Sequence, residues 1–182
     1  MKKLARTFGA AAIVLVAMAS ISSLRAEELK EGESEVGAYI GGHSYGGASF
    51  GVNYARAMKP RFLVLGEFGY MTGGGYGLSG YSSHGFEFGG NVHYLFPLKN
   101  EKLTPYVLGG VGIEHFSYGY PSGLCGIISC GSASFTTGGV NIGGGLRWTL
   151  NEKWGVRPEW KVLIGNHTSS RFAVGVYYHL GK

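Results

Sequence analysis

The sequence predicts an all-β fold, an eight-stranded antiparallel transmembrane β-barrel in which the strands follow one another as an up-and-down meander. Three observations support this prediction. Apolar residues alternate with polar or small residues along successive segments, as in a strand with two different faces. Glycine accounts for 34 of 182 residues, and charged residues are only 15 %, against about 25 % in soluble domains. Each alternating segment is about ten residues long, the length that a tilted strand needs to cross hydrocarbon.

The chain begins with the features of an export signal. Three cations lie within the first six residues, an apolar run covers residues 8–16, and Ala19 and Ala26 each end a small-residue cleavage site. The apolar run is too short for a membrane-spanning helix, which needs about 20 residues. We therefore expect a signal peptide at 1–26, cleaved after Ala19 or Ala26, and a barrel domain at 27–182.

The net charge of +5 does not indicate a nucleic-acid partner. Cleavage after Ala26 would remove four cations and no acidic residue, which leaves twelve cations against eleven anions and a formal charge of about +1. The mature chain is therefore not expected to present the basic surface that nucleic acid requires.

Eight alternating segments follow the leader, with turn signals between them. We predict strands at Ser34–Gly42, Ala48–Ala57, Arg61–Met71, Gly85–Phe96, Tyr106–Phe116, Gly138–Leu150, Trp154–Ile164 and within Arg171–Lys182. The acidic segment Glu27–Glu35 is expected to be frayed. An even strand number places both termini on one side, with short or charged turns there and longer Gly/Ser/Tyr loops opposite, as in outer-membrane barrels.

The apolar face of each strand can be read in order from the alternation. After the short, Gly-rich first strand, its members are Phe50, Val52 and Tyr54, then Phe62, Val64, Phe68 and Tyr70, then Phe86, Phe88, Val92, Tyr94 and Phe96. In the fifth strand the facing is ambiguous, and we place Val107, Val111 and Ile113 outward because this turns Glu114 inward. The last three strands contribute Val140, Ile142, Leu146, Trp148 and Leu150, then Val156, Trp160, Val162 and Ile164, then Phe172, Val174, Val176, Tyr178 and Leu180.

The alternative to a membrane barrel is a soluble one, whose apolar face would point inward. Its other face would then be wet and rich in Lys, Glu, Thr and Ser. Here that face is mainly Gly with isolated charges, namely Glu67, Glu87, Glu114, Arg147, Arg157, Glu159 and Lys161. Both signs are present, which suits a narrow interior where every charge needs a partner. We therefore predict that these seven residues form a lumen network that plugs the barrel.

Aromatic residues gather at the strand ends of the apolar face. Phe62, Tyr94, Phe96, Trp148, Trp154 and Tyr178 lie near the short turns, and Tyr70 and Phe172 lie near the long loops. Two aromatic girdles at the membrane interfaces are expected for a transmembrane barrel. Aromatic cross-strand pairs in a soluble sheet would explain single residues but not both belts.

The C-terminal strand carries a family resemblance. Gly175, Tyr178 and Leu180 resemble the β-signal by which the barrel-assembly machinery recognises outer-membrane proteins, although Gly181 and Lys182 follow where that signal ends in an aromatic residue. With the leader, the segment YVLGGVG at 106–112 and the segment VRPE at 156–159, the chain resembles the small outer-membrane β-barrel family (OmpA/OmpX-like, porin-like). The resemblance implies a bacterial outer-membrane location, contact with outer-membrane lipid, and insertion as a monomer by that machinery.

Small barrels can be enzymes, and the lipid A 3-O-deacylases are similar in size to this chain. Those enzymes use a His-x-Ser pair with a downstream Glu. Two such pairs occur, at His115–Ser117 and His167–Ser169. A serine nucleophile needs a base, and that base needs an orienting acid. The chain has no Asp, and its last Glu is Glu159. The histidines are dispersed, so neither a metal nor a cofactor is expected.

The sequence thus predicts a structural or surface-interaction barrel without catalysis, whose surface partner it does not identify. A narrow porin-like channel is the first alternative. A lipid A 3-O-deacylase-like enzyme is the second.

Cys125 and Cys130 are expected to form a disulfide, because an exported chain meets an oxidising compartment. Closing so small a ring stabilises the fold by roughly 2 kcal/mol in the chain-entropy model. Thiol labelling without reductant should leave both cysteines unmodified, whereas labelling after reduction should modify both. Stoichiometric labelling without reductant would contradict the prediction.

Overall fold

The structure, a computed structural model, describes residues 29–73, 82–96, 98, 102–119 and 133–181. Its strands are β1 (Ser34–His43), β2 (Ala48–Lys59), β3 (Phe62–Thr72), β4 (Ser82–Leu95), β5 (Leu103–Gly119), β6 (Ala133–Thr149), β7 (Trp154–Gly165) and β8 (Ser169–Gly181). They form a closed barrel in chain order, each strand antiparallel to its neighbours and β1 paired with β8. The predicted eight-stranded meander is therefore confirmed. These residues contain no helix that is long and apolar enough to cross a membrane.

Three strands extend beyond the predicted bounds by three or more residues, and the others agree to within two residues. β4 begins three residues earlier than predicted, and β5 and β6 each run for 17 residues. Their pairing extends from Leu103 opposite Trp148 to Tyr118 opposite Ala133. The sequence prediction of turn and loop at these strand ends was wrong, because backbone pairing of the hairpin continues through residues whose Gly, Ser and Pro content is typical of loops. Cys125, Cys130 and the proposed signal peptide lie outside the described residues.

The two faces of the strands meet different surroundings. Outward apolar side chains are strongly exposed, with Ile40 and Val111 at 65 % and Phe88 at 58 %. The alternate positions are buried and carry most of the charge, including Glu114 at 5 % exposure. The strands therefore present hydrocarbon to the outside and polar groups to the lumen, the inverse of a soluble barrel.

Aromatic rings lie at both ends of the outward face. Near the termini, Phe62 packs on Tyr94 at 5.1 Å between ring centroids and Trp154 on Tyr178 at 4.8 Å. At the same end, Phe96 contacts Tyr94 and Trp148 is half exposed. On the loop side, Phe50 and Phe86 both contact Tyr70. Phe172 is paired with Trp160 on the neighbouring strand. Rings at these heights match the two interfaces of a membrane.

Apolar and aromatic side chains also lie in the interior on both sides of its charged middle. At the end near the termini, Leu29 packs among Ala55, Ala57, Leu63, Leu65, Leu95, Tyr106 and Leu108. At the loop end, the fully buried Phe116 contacts His43, Tyr45 and Phe135, with ring centroids 4.8–5.9 Å apart.

Replacement of Val176 by Arg should destabilise the barrel by about 2–4 kcal/mol, because the ion loses hydration in the hydrocarbon. Val176 is 47 % exposed at the middle of β8. The matched control is Glu152→Arg in the exposed turn before β7, which should be nearly neutral. Reversible unfolding in lipid vesicles measures both changes, and equal costs would indicate a soluble barrel.

Candidate functional site: the polar lumen

Charged side chains enter the lumen from seven of the eight strands. They are Glu35, Glu67, Glu87, Glu114, Arg147, Arg157, Glu159, Lys161 and Arg171, and each is at most 7 % exposed. All seven residues of the predicted network are among them. Glu35 and Arg171 are additional members that the sequence prediction missed.

The centre of the lumen holds a compact cluster of two cations and three carboxylates. The Lys161 ammonium donates to both Glu67 and Glu87. Arg171 donates from Nη1 to Glu87 Oε1 at 2.8 Å, and from Nη2 to Glu67 Oε2 at 2.8 Å and Glu159 Oε1 at 3.1 Å. β3, β4, β7 and β8 are thereby joined across the lumen. We call these five residues the central cluster.

Glycines make room for the aromatic ring beneath the central cluster. The Tyr39 ring lies 4.1 Å from the Arg171 guanidinium carbon, a cation–π contact. A Cβ atom at Gly69 would lie 2.2 Å from the Tyr39 hydroxyl, and one at Gly51 would lie 2.6 Å from it. Only glycine therefore leaves the volume that Tyr39 occupies when it supports Arg171.

Two asparagines extend the central cluster toward β5 and β6. Asn91 Nδ2 donates to Glu67 Oε1 at 3.0 Å, and Asn141 Nδ2 lies 2.9 Å from Asn91 Oδ1 and 3.2 Å from the Val111 carbonyl. The carboxylate charge is thus met by neutral donors as well as by cations.

A second ion pair lies nearer the termini. Arg147 donates to both carboxylate oxygens of Glu35, at 3.0 and 2.5 Å, and its guanidinium carbon lies 4.1 Å from the Tyr177 ring centroid. His179 Nδ1 lies 3.4 Å from Glu35 Oε1. The expectation that Glu35 is frayed was wrong, because this residue is buried and its pairing with Arg147 anchors the start of β1.

Glu159 connects the central cluster to the apolar cluster near the termini. Tyr106 is a member of that apolar cluster, and its hydroxyl donates a hydrogen bond to Glu159 Oε2 at 2.7 Å. The Tyr106 ring stacks on the His93 ring with 4.5 Å between the ring centroids. Arg157 Nε lies 3.9 Å from the same carboxylate oxygen. The polar and apolar parts of the interior thus meet at one side chain, Tyr106.

Glu114 lies in the lumen but outside the central cluster. Its Oε1 accepts a hydrogen bond from Ser169 at 2.7 Å, and its Oε2 has no partner within the described residues. No ion pair joins Glu114 to a cation in that part of the chain, so the structure does not bring it together with Arg147, Arg157 or Lys161.

The two His-x-Ser pairs have different surroundings. Ser117 Oγ lies 3.4 Å from His115 Nε2, and His115 Nδ1 lies 2.8 Å from Thr136 Oγ1, all near the exposed outer surface. A hydroxyl thus stands where an orienting carboxylate would be needed. In the other pair, the His167 ring contacts Phe135 at a tilt, whereas Ser169 donates a hydrogen bond to Glu114. The described residues include no group of three or more His, Cys, Asp or Glu placed to hold a metal ion.

The predicted assembly-signal residues all lie in β8. Tyr178 packs on Trp154, Leu180 is 52 % exposed on the outward face, and Gly175 is paired with Tyr39 and Arg157. Their recognition by an assembly machinery remains a prediction.

Comparison with known proteins identifies a family and several similar folds. The family model described as "Outer membrane protein beta-barrel domain" matches residues 9–179. The N-terminal barrel of OprF from Pseudomonas aeruginosa is 17 % identical, with 82 % of this chain and 98 % of that chain covered and a TM-score of 0.60. Ail, the attachment invasion locus protein of Yersinia pestis, is 17 % identical, with 83 % and 100 % covered and a TM-score of 0.59.

A major outer membrane protein of Thermus thermophilus is 14 % identical, with 83 % of this chain and 100 % of that chain covered and a TM-score of 0.63. At such identities the structural likeness shows the fold alone. The search of curated proteins finds no match.

Arg147→Ala should destabilise the barrel by about 3–5 kcal/mol, because it leaves the buried Glu35 carboxylate without its cation. The exposed Arg56→Ala is the matched control and should change stability by no more than about 0.5 kcal/mol. Unfolding in lipid vesicles measures both.

Adding Glu35→Ala to Arg147→Ala should recover part of the loss, since the double variant has no unpaired charge at this position. Strictly additive costs would show that the two side chains do not act as a pair.

Proposed function

Because the chain belongs to the outer membrane protein β-barrel family and lies in the bacterial outer membrane, we propose that it is a structural or surface-interaction protein with a side-chain-plugged lumen and no catalytic activity. The proposed mature protein comprises residues 27–182 after removal of the signal peptide at 1–26. It is inserted as a monomer by the barrel-assembly machinery and has a Cys125–Cys130 disulfide.

The observation that carries the proposal is the central cluster. Lys161 and Arg171 reach carboxylates on β3, β4 and β7, and every one of these side chains is buried. An eight-stranded barrel has an interior just wide enough for side chains. Charges that are paired across such an interior leave no continuous path for water, which favours a plug over the porin-like channel.

The apolar ends of the lumen support the same proposal. Water and ions would have to pass the buried cluster around Leu29 and Tyr106 at one end, and the rings around Phe116 at the other. Apolar constrictions of this kind oppose ion passage because an ion would lose its hydration there.

The surface-interaction part of the proposal rests on the connecting segments opposite the termini. Segments 44–47, 73–81, 120–132 and 166–168 contain no Asp, Glu, Lys or Arg, and together they are rich in Gly, Ser and Tyr. Such residues suit contacts made by aromatic rings and neutral hydrogen bonds. Ail has been solved with the heparin analogue sucrose octasulfate, but the segments of this chain offer no Lys or Arg for a similar polyanion.

The enzyme alternative has less support. A lipid A 3-O-deacylase-like reaction would use His115 and Ser117, whose hydrogen-bond chain ends at Thr136 and not at an acid. Without an orienting carboxylate, the imidazolium formed during acyl transfer would lack its counter-charge. Mass spectrometry of lipid A with and without the protein should accordingly show no deacylation.

In planar bilayers the wild-type protein should give no steady conductance. Arg171→Ala removes a guanidinium that contacts three carboxylates, so it should admit water and produce brief, cation-selective openings. Arg56→Ala serves as the control for handling and insertion, and heat-modifiable gel mobility verifies that each variant is folded. Large, steady single-channel steps from the wild type would reject the plug and favour a channel.

A further inference from the structure

The outward face of the barrel has a groove halfway between its aromatic belts. Gly66 and Gly90 are paired in register at the groove's centre. Each lies four residues from the aromatic pair Phe62–Tyr94 on one side and four from Tyr70–Phe86 on the other. This position corresponds to the middle of the hydrocarbon layer, where the strand surface meets acyl chains.

Neither space nor backbone geometry requires glycine at the centre of the groove. A Cβ atom built on Gly66 or Gly90 would have nothing within 4 Å, and neither residue is among the glycines with positive φ. Their missing side chains contribute to an open groove of about 930 Å³ on the outward face. Its walls include Val52, Tyr54, Phe68, Phe88, Val111 and Ile113.

The groove has a direction relative to the membrane. Its lining residues follow adjacent register rows, from Val36 near the terminal end of β1 to Gly138 near the loop end of β6. Each row of paired residues runs perpendicular to the strands. Because the strands are tilted relative to the barrel axis, the groove rises obliquely toward the loop side. In an outer-membrane barrel the longer loops face the exterior, so the groove reaches into the outer leaflet.

A polar group lies just beyond the loop-side end of the groove. On the same outward face, Ile113 lies two residues from His115, and Gly138 lies two residues from Thr136. His115 Nδ1 and Thr136 Oγ1 form a hydrogen bond of 2.8 Å. Ser117 extends the group at 3.4 Å from His115 Nε2. We call His115, Ser117 and Thr136 the polar rim. An apolar groove that ends at hydrogen-bonding groups matches an amphipathic molecule with one chain and a polar head.

We propose that the groove binds one acyl chain of an outer-leaflet glycolipid, with hydroxyls of its sugar headgroup bound by the polar rim. A concave surface in hydrocarbon forfeits dispersion contacts unless it is filled, and a flexible chain can follow its oblique course. The sequence has no Lys or Arg between positions 62 and 98 or between 103 and 146. Uncharged donors and acceptors at the rim therefore favour sugar hydroxyls over a phosphate-dominated headgroup.

Native mass spectrometry of the full protein, extracted from the outer membrane in mild detergent, tests this site. The wild type should retain one glycolipid per chain, identified by its mass. Gly66→Leu/Gly90→Leu fills the groove and should lose this lipid. Gly109→Leu is the matched control, because Gly109 is also exposed with nothing within 4 Å of its Cβ but does not line the groove, and it should retain the lipid.

Replacement of His115 and Thr136 by Ala and Val should lower glycolipid retention while leaving heat-modifiable mobility unchanged, which separates the loss of binding from the loss of folding. The proposal is overturned if the wild type carries no lipid, if the groove-filling variant retains as much as Gly109→Leu, or if rim substitution has no effect. Retention of a phospholipid, or a dimer that the filled groove abolishes, would equally contradict the glycolipid assignment.

Discussion

A polar interior enclosed by hydrocarbon has to satisfy its own charges, and this constraint shapes most of the barrel. The wall faces lipid on the outside, and eight strands leave a lumen that only side chains can fill. A buried ion without a partner would be costly. The Lys161 and Arg171 contacts with Glu67, Glu87 and Glu159 meet this requirement at the centre, and the Arg147–Glu35 pair meets it nearer the termini. Pairing across the lumen also ties together strands that are distant in sequence.

Glycine has opposite effects on the two faces of the wall. Inside, Gly51 and Gly69 give Tyr39 the space to stack on Arg171, so their small size supports the packing of the central cluster. Outside, Gly66 and Gly90 crowd nothing and contribute to an open groove midway between the aromatic belts. Glycine in the lumen thus makes room for neighbouring side chains. On the outer surface, glycine leaves the space that the proposed lipid would occupy.

Alternation along the sequence predicted the strands and their facing because one face meets hydrocarbon and the other does not, so the period of two is strict. It placed Glu67 and Lys161 in the lumen, but it could not give their heights, which depend on strand tilt and register around the closed barrel. Arg147 therefore had no identifiable partner, since Glu35 lies 112 residues away. Glu35 itself was hidden in an acidic stretch, and Arg171 stood at the start of a strand judged by its apolar face. The inward alternation of Arg171 with Ala173 and Gly175 was the signal that could have identified it.

The proposed plug depends on direct contact between the Lys161 ammonium and two carboxylates inside the lumen. Solid-state NMR of the protein in lipid bilayers can measure the dipolar coupling between Lys161 Nζ and the carboxyl carbons of Glu67 and Glu87. A plugged lumen predicts strong coupling to both carbons and an ammonium that exchanges slowly with water. Absence of coupling to either carboxyl carbon, with an ammonium in rapid exchange with water, would contradict the account and indicate a hydrated lumen.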